Sequence, residues 1–198
     1  MRAKLGLIGA LVLAAAVPAF AGWQTDVSPF DRQRLASLDE SRQKALAEAE
    51  AGGNSSDLAV IRAALAGGRG DVSEGELMGT WRCRQMKLGG ISPSIVYGWF
   101  RCRVRHSGQG LYFEKISGSQ RVSGYLDRYD GGGWVLLGAL TVNNERQRPY
   151  SGGTPGAGTQ VTSNDAIGVL TKAGSGHLRI EFPYPALESH FDVMELQR

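Results

Sequence analysis

Gly79-Thr80-Trp81-Arg82-Cys83-Arg84-Gln85-Met86-Lys87-Leu88-Gly89-Gly90 runs through Ile91-Ser92-Pro93 into Ser94-Ile95-Val96-Tyr97-Gly98-Trp99-Phe100-Arg101-Cys102-Arg103-Val104-Arg105-His106. It reads as two strands rich in aromatic and β-branched residues, joined by a Gly/Pro turn. Strand side chains alternate between two faces, so register decides what each face carries. A register that sets Cys83 opposite Cys102 also sets Trp81 opposite Val104 and Gln85 opposite Phe100. That face is largely apolar, while the other stacks Arg82, Arg84, Arg101, Arg103 and Arg105.

The same texture continues to the C-terminus. Eight strands are expected, over Gly79–Lys87, Ser94–His106, Leu111–Ser117, Gln120–Tyr129, Gly133–Val142, Asp165–Lys172, Gly176–Phe182 and His190–Gln197. The turns between them are short and Gly-rich, so successive strands should pair antiparallel. Asn143 to Asn164 is the one long connection and reads as a mobile surface loop. Alternation carried through the turns puts Leu111, Phe113, Val122, Leu126, Trp134, Leu136 and Leu140 inside. The expected class is mainly β: an antiparallel meander of about eight strands, a lipocalin-like barrel whose closure would remove exposed edges.

Upstream, residues 22–70 read as a helical hairpin. Ser28 before Pro29 is an N-cap followed by a first-turn proline. Leu35, Leu38, Ala45, Leu46 and Ala49 recur at helical intervals up to Gly52-Gly53. Leu58, Ile61 and Leu65 share a face of a second helix. Both stripes are narrow. In strand five the outward residues Val135, Leu137 and Ala139 are apolar, and the hairpin is expected to pack over them.

The first 21 residues read as a cleavable secretory signal. Arg2 and Lys4 precede the unbroken apolar run Leu5 to Val17, then Pro18 and the small-x-small pattern Ala19-Phe20-Ala21. The run is roughly a dozen residues, against about 20 for a membrane span. No cysteine follows Ala21, which argues against a lipid anchor. The mature chain is therefore expected in the periplasm or secreted, with no transmembrane segment. The signal holds two of the 22 basic residues and none of the 19 acidic ones, leaving a formal charge of +1. That charge gives no argument for nucleic-acid binding. In an oxidising compartment the two cysteines, Cys83 and Cys102, read as a disulfide. Metal ligation is disfavoured, because His106, His177 and His190 are scattered.

Several segments together resemble a family of exported bacterial proteins of unknown function, of the domain-of-unknown-function 4893 type. They are Gly79 to Arg84, Met86-Lys87-Leu88-Gly89, Trp99-Phe100-Arg101-Cys102-Arg103, Phe113 to Arg121 and Pro185 to Asp192. The resemblance runs from about Trp23 to the C-terminus and, with no activity established for the family, implies no catalytic residues. Separately, Gly79-Thr80-Trp81 opening an eight-strand meander resembles the start of lipocalin-type barrels, which implies that architecture. The other lipocalin motifs have no clear counterpart in this chain.

Two surfaces are candidate sites. The ribbon Arg82, Arg84, Arg101, Arg103 and Arg105 would suit an anionic partner, since guanidinium pairs bidentately with carboxylate and phosphate. Its plainer reading is a solvated face neutralised within the fold, with Glu114 opposite Arg103. Inside, Gln85, His106, Lys115 and Arg128 fall beside Trp81, Phe113 and Trp134, the composition of a small-molecule pocket. Trp81, Phe113, Lys115, Arg128 and Trp134 are the expected ligand contacts; the plainer reading has the polar ones snorkelling to water at strand ends.

Catalysis has little support. Gly152 to Gly158 lacks the Gly-Lys-Ser/Thr ending of a phosphate loop. Glu188-Ser189-His190 are neighbours on an extended chain and point apart, so they cannot form a triad. No cofactor is expected. The favoured role is non-catalytic binding in the envelope, either of a small apolar ligand inside the barrel or of an envelope protein on its surface, as a periplasmic hydrolase inhibitor does. A hydrolase is the outside alternative.

Overall fold

Short strands between turns that cannot extend them have one way to satisfy every edge, and the chain takes it. The computed structural model describes residues 22–108, 110–152 and 164–198. The expected signal, residues 1–21, and the glycine-rich run from Gly153 lie outside the described residues. Eight strands close into a barrel in sequence order: β1 (Gly79–Leu88), β2 (Ser94–Ser107), β3 (Gly110–Lys115), β4 (Gln120–Arg128), β5 (Trp134–Val142), β6 (Asp165–Gly174), β7 (His177–Pro183) and β8 (Phe191–Gln197). Every neighbouring pair is antiparallel, and β1 closes the ring against β8.

The first hairpin departs from the expected register by two residues. Cys83 faces Phe100 and Trp81 faces Cys102, because the turn closes at Leu88 and Ser94 and a bulge at Gln85 takes an extra residue from β2. On the far side of the bulge from the turn the even slip leaves each side chain on its face; toward the turn the offset is three, and Tyr97 rather than Val96 faces inward. Cys83 and Cys102 are therefore diagonal neighbours rather than opposite ones, and they form the disulfide, with Cα atoms 5.8 Å apart and a sequence separation of 19. In the chain-entropy account such a loop contributes roughly 3 kcal/mol. Farther on, Gly124 faces Gly138, where an added Cβ would lie 2.2 Å from the Leu137 carbonyl oxygen or 2.3 Å from that of Ser123. Only glycine permits that approach of β4 to β5.

The barrel has two apolar layers. Inside, Trp81, Cys83, Cys102, Phe113, Leu136 and Ile180 belong to one buried cluster. Outside, Val135 and Leu137 of β5, Ile167 and Val169 of β6 and Met86 and Leu88 of β1 share a second cluster with helix residues Leu35, Leu38, Leu58, Ile61 and Leu65. The helical segment is more broken than a hairpin: α1 (Trp23–Asp26), α2 (Pro29–Ala36), α3 (Leu38–Gly52) and α4 (Ser55–Leu65), with α2 and α3 parted at Ser37. Ser28 caps α2 through the Asp31 amide, with Pro29 in the first turn. Asn54 caps α4 through the Asp57 amide.

Polar anchors fix the helices. On the outward face of β7, Arg179 and Glu181 are completely buried. Arg179 donates to the carbonyls of Ala66 and Gly68 just past α4, each at 3.1 Å. Glu181 accepts from Arg69 at 2.7 Å and Arg42 at 3.1 Å. At the other end Glu48 of α3 accepts from the Gly90 amide at 3.0 Å and meets His190 Nδ1 at 2.9 Å.

Candidate functional site

One end of the barrel is sealed by the chain that enters it. Residues 71–78 include the short helix α5 (Glu74–Leu77), started by a capping box of Ser73 and Glu76. Val72 and Leu77 join the interior cluster. Their backbone would be stranded there, and two inward tryptophans satisfy it: Trp81 Nε1 donates to the Leu77 carbonyl at 2.8 Å, and Trp134 Nε1 to that of Val72 at 2.9 Å. Arg128 reaches Asp71 at 2.9 Å and lies 4.2 Å from the Trp134 ring centroid. Arg198 covers Trp81 in the same way at 3.8 Å.

Among the described residues the opposite end is hollow. A cavity of about 430 Å³ opens where β1 ends and β4 begins, within the size range of small-molecule pockets. Phe100, Val122, Leu140, Ala166, Phe182 and Met194 give it an apolar floor, and the β7–β8 connection at Pro185, Ala186 and Leu187 forms part of its rim. In that connection Tyr184 and Glu188 hold positive φ, at 40° and 72°, a conformation uncommon for such side chains.

Polar groups converge on the floor from β1, β3 and β8. Asp192 accepts from Ser189 Oγ at 2.5 Å and Gln85 Nε2 at 3.0 Å. Burial raises its carboxyl to about 6, despite these bonds and the nearby Lys87. Lys87 pairs with Glu188 and donates to Gln120. Lys115 donates to the Gln120 carbonyl at 2.5 Å and lies 3.8 Å from the Phe100 centroid. Burial lowers its ammonium to about 8, helped by Arg121 and Lys87.

The five expected ligand contacts are thus divided. Lys115 lines the cavity. Trp81, Phe113 and Trp134 are packed in the closed half and border none of this space, and Arg128 is an exposed clasp on the plug. Alternation assigns a face but not a depth along the barrel, and the plug was not read from the sequence. Of the other inward polar residues, Gln85 reaches the cavity, whereas His106 is two-thirds exposed and pairs with Glu74. Asp192, Lys87 and Tyr97 were not anticipated. The signal for Asp192 was available: alternation on β8 puts it inward with Met194 and Leu196.

The arginine ribbon is outward and mostly matched. Arg84 meets Glu195 at 2.6 Å; Arg103 and Arg105 share Glu114 at 2.6 and 3.0 Å. Arg82 and Arg84 also stack on Trp99. Arg82 and Arg101 face each other directly and are exposed.

Several groups near the cavity that could do chemistry are already engaged within the fold. The Ser189 hydroxyl donates to Asp192 behind the lining, while the adjacent His190 turns to Glu48 and Glu188 to Lys87. Among the described residues no group of three or more His, Cys, Asp or Glu side chains is placed to hold a metal ion, and no helix is long and apolar enough to cross a membrane.

Fold and site together define a class: a closed eight-stranded antiparallel barrel, plugged at one end and, among the described residues, hollow at the other. Within it, the chain belongs to the family described as domain of unknown function DUF4893, whose profile matches residues 23–196. A search of curated proteins finds no match to the chain.

Proposed function

We propose that this protein is an exported, non-catalytic binding protein that carries a small apolar ligand in the open end of its barrel. The observation that carries the reading is the contrast between the two ends. The plugged half is filled by side chains, whereas the open half keeps about 430 Å³ of space over an apolar floor. A barrel needing only stability gains from filling that space, since unfilled apolar volume forfeits packing contacts. Export is supported by the N-terminal run from Arg2 to Ala21 and by the disulfide, which persists in oxidising compartments. The alternative, a partner protein held on the arginine face, has less to rest on, because carboxylates already neutralise Arg84, Arg103 and Arg105.

Native mass spectrometry of the protein purified from its own cell envelope tests the reading. The expected spectrum shows a bound small molecule that leaves on denaturation and is missing from Leu140→Trp, which places a ring in the cavity. A bare mass for the native protein, or a retained macromolecular partner, would count against it.

A further inference from the structure

Charges around the open mouth are mostly matched within the fold. Lys87 meets Glu188, Glu145 pairs with Arg148 at 3.3 Å, Arg34 with Asp31 at 2.7 Å, and Asp192 accepts from Ser189 and Gln85. Two cations on the β3–β4 side make no ion pair among the described residues, although Glu145 lies near Arg121. Lys115 points inward and is 6% exposed, yet its ammonium has only the Gln120 carbonyl and the Phe100 ring. Among the described residues no carboxylate pairs with it. Arg121, at the rim beside it, rests on the backbone carbonyls of Asn143 and Glu145. Its buried Nε has no acceptor among the described residues.

An ammonium held out of water without a counter-ion is costly, and its depressed proton affinity reports that cost. Replacing Lys115 by an apolar residue would remove the penalty, so the fold keeps a charge for which it supplies no partner. An anion arriving from outside would relieve it in a low-dielectric site, where the attraction is strongest. The arriving group must also suit the floor, where Leu140, Phe182 and Met194 offer apolar contact only. Glu188 and Asp192 lie across the mouth on the β8 side, and Glu145 on the near side is already paired with Arg148, so the inward ammonium of Lys115 is the group that favours negative charge.

We propose that the ligand is an amphipathic anion, a single-chain molecule whose headgroup sits on Lys115 with Arg121 at the rim and whose tail lies along the floor. This rests on the ligand-binding reading above and adds the headgroup chemistry to it.

The test compares dodecanoate with dodecanol, which share a chain and differ in charge, by titration calorimetry at about pH 7, where Lys115 is largely protonated. The full mature chain should bind dodecanoate at least about tenfold more tightly than dodecanol. Lys115→Met should bring the two within about threefold by weakening dodecanoate alone, and Lys115→Arg should restore most of the gap. Unchanged dodecanol binding shows that each variant keeps its fold and cavity. Equal affinities in the unmodified protein, or a gap that survives Lys115→Met, would overturn the headgroup assignment and leave the cavity reading standing. Failure of both amphiphiles to bind would sink both.

Discussion

At the scale of single residues, the groups that mark the site are those whose ionisation the fold opposes. Asp192 has a folded-state value near 6 against an ordinary 3.8, with burial as the main cause. A carboxyl raised on folding contributes stability that is fully present below about pH 4 and is lost as pH rises through about 6. Asp192→Asn keeps the shape and never ionises, and the Gln85 amide can turn to receive its new donor. The variant should therefore gain on the unmodified protein as pH climbs from about 4 to about 8, by on the order of 2–3 kcal/mol. Thermal melts of both across that range check it; a constant difference would mean that Asp192 titrates normally. This residue was readable in principle, since alternation along β8 places it inside. Lys115 was read as inward from the same rule. The matching of charges that singles it out was not readable, because Lys87, Glu188, Gln85 and Ser189 come together only when β8 closes against β1.

Among the elements, the strands follow from turn chemistry and alternation, which are local and survive a wrong register. The first hairpin is the instance: Cys83 sits diagonally to Cys102 rather than opposite, yet the disulfide and the faces around it come out the same, because the slip there is even. The helices were less legible. Their stripes are narrow, and what fixes them is polar and remote in sequence. Arg179 and Glu181 lie on the outer face of β7 with no exposure, under carbonyls and arginines that follow α4 or belong to α3. On sequence alone an Arg-x-Glu at alternate strand positions is ordinary solvated surface. Removing one member leaves the other charged and buried, which typically costs 3–5 kcal/mol. Glu181→Leu should thus destabilise the protein by about that amount in urea titrations, while Glu50→Leu, in an exposed pair with Arg62, should change it by less than about 1 kcal/mol. Comparable small effects from both would mean that the cluster does not hold the helices to the barrel.

For the molecule as a whole, the asymmetry between the two barrel ends is what turns a stable fold into a candidate carrier. The closed end is settled by a few bonds: two tryptophan N–H groups take the carbonyls of a chain segment that would otherwise be stranded among apolar side chains. Among the described residues the open end has no such plug, and its β7–β8 rim carries two strained residues, Tyr184 and Glu188, and an exposed Leu187. Which end is which could not be read from strand periodicity, since the pattern is alike along the length of each strand. It depends on where residues 71–78 cross, and Trp81 and Trp134 were accordingly expected at the ligand when they belong to the plug. The most direct measurement is a titration with a neutral apolar dye such as N-phenyl-1-naphthylamine, following its fluorescence in the unmodified protein, in Leu140→Trp at the open end and in Leu111→Trp in the packed half. The predicted result is one dye per chain, with affinity lowered at least about tenfold by Leu140→Trp and unchanged, in folded protein, by Leu111→Trp. Dye binding that ignores Leu140→Trp, or that never saturates at one per chain, would contradict a ligand site in the open end of the barrel.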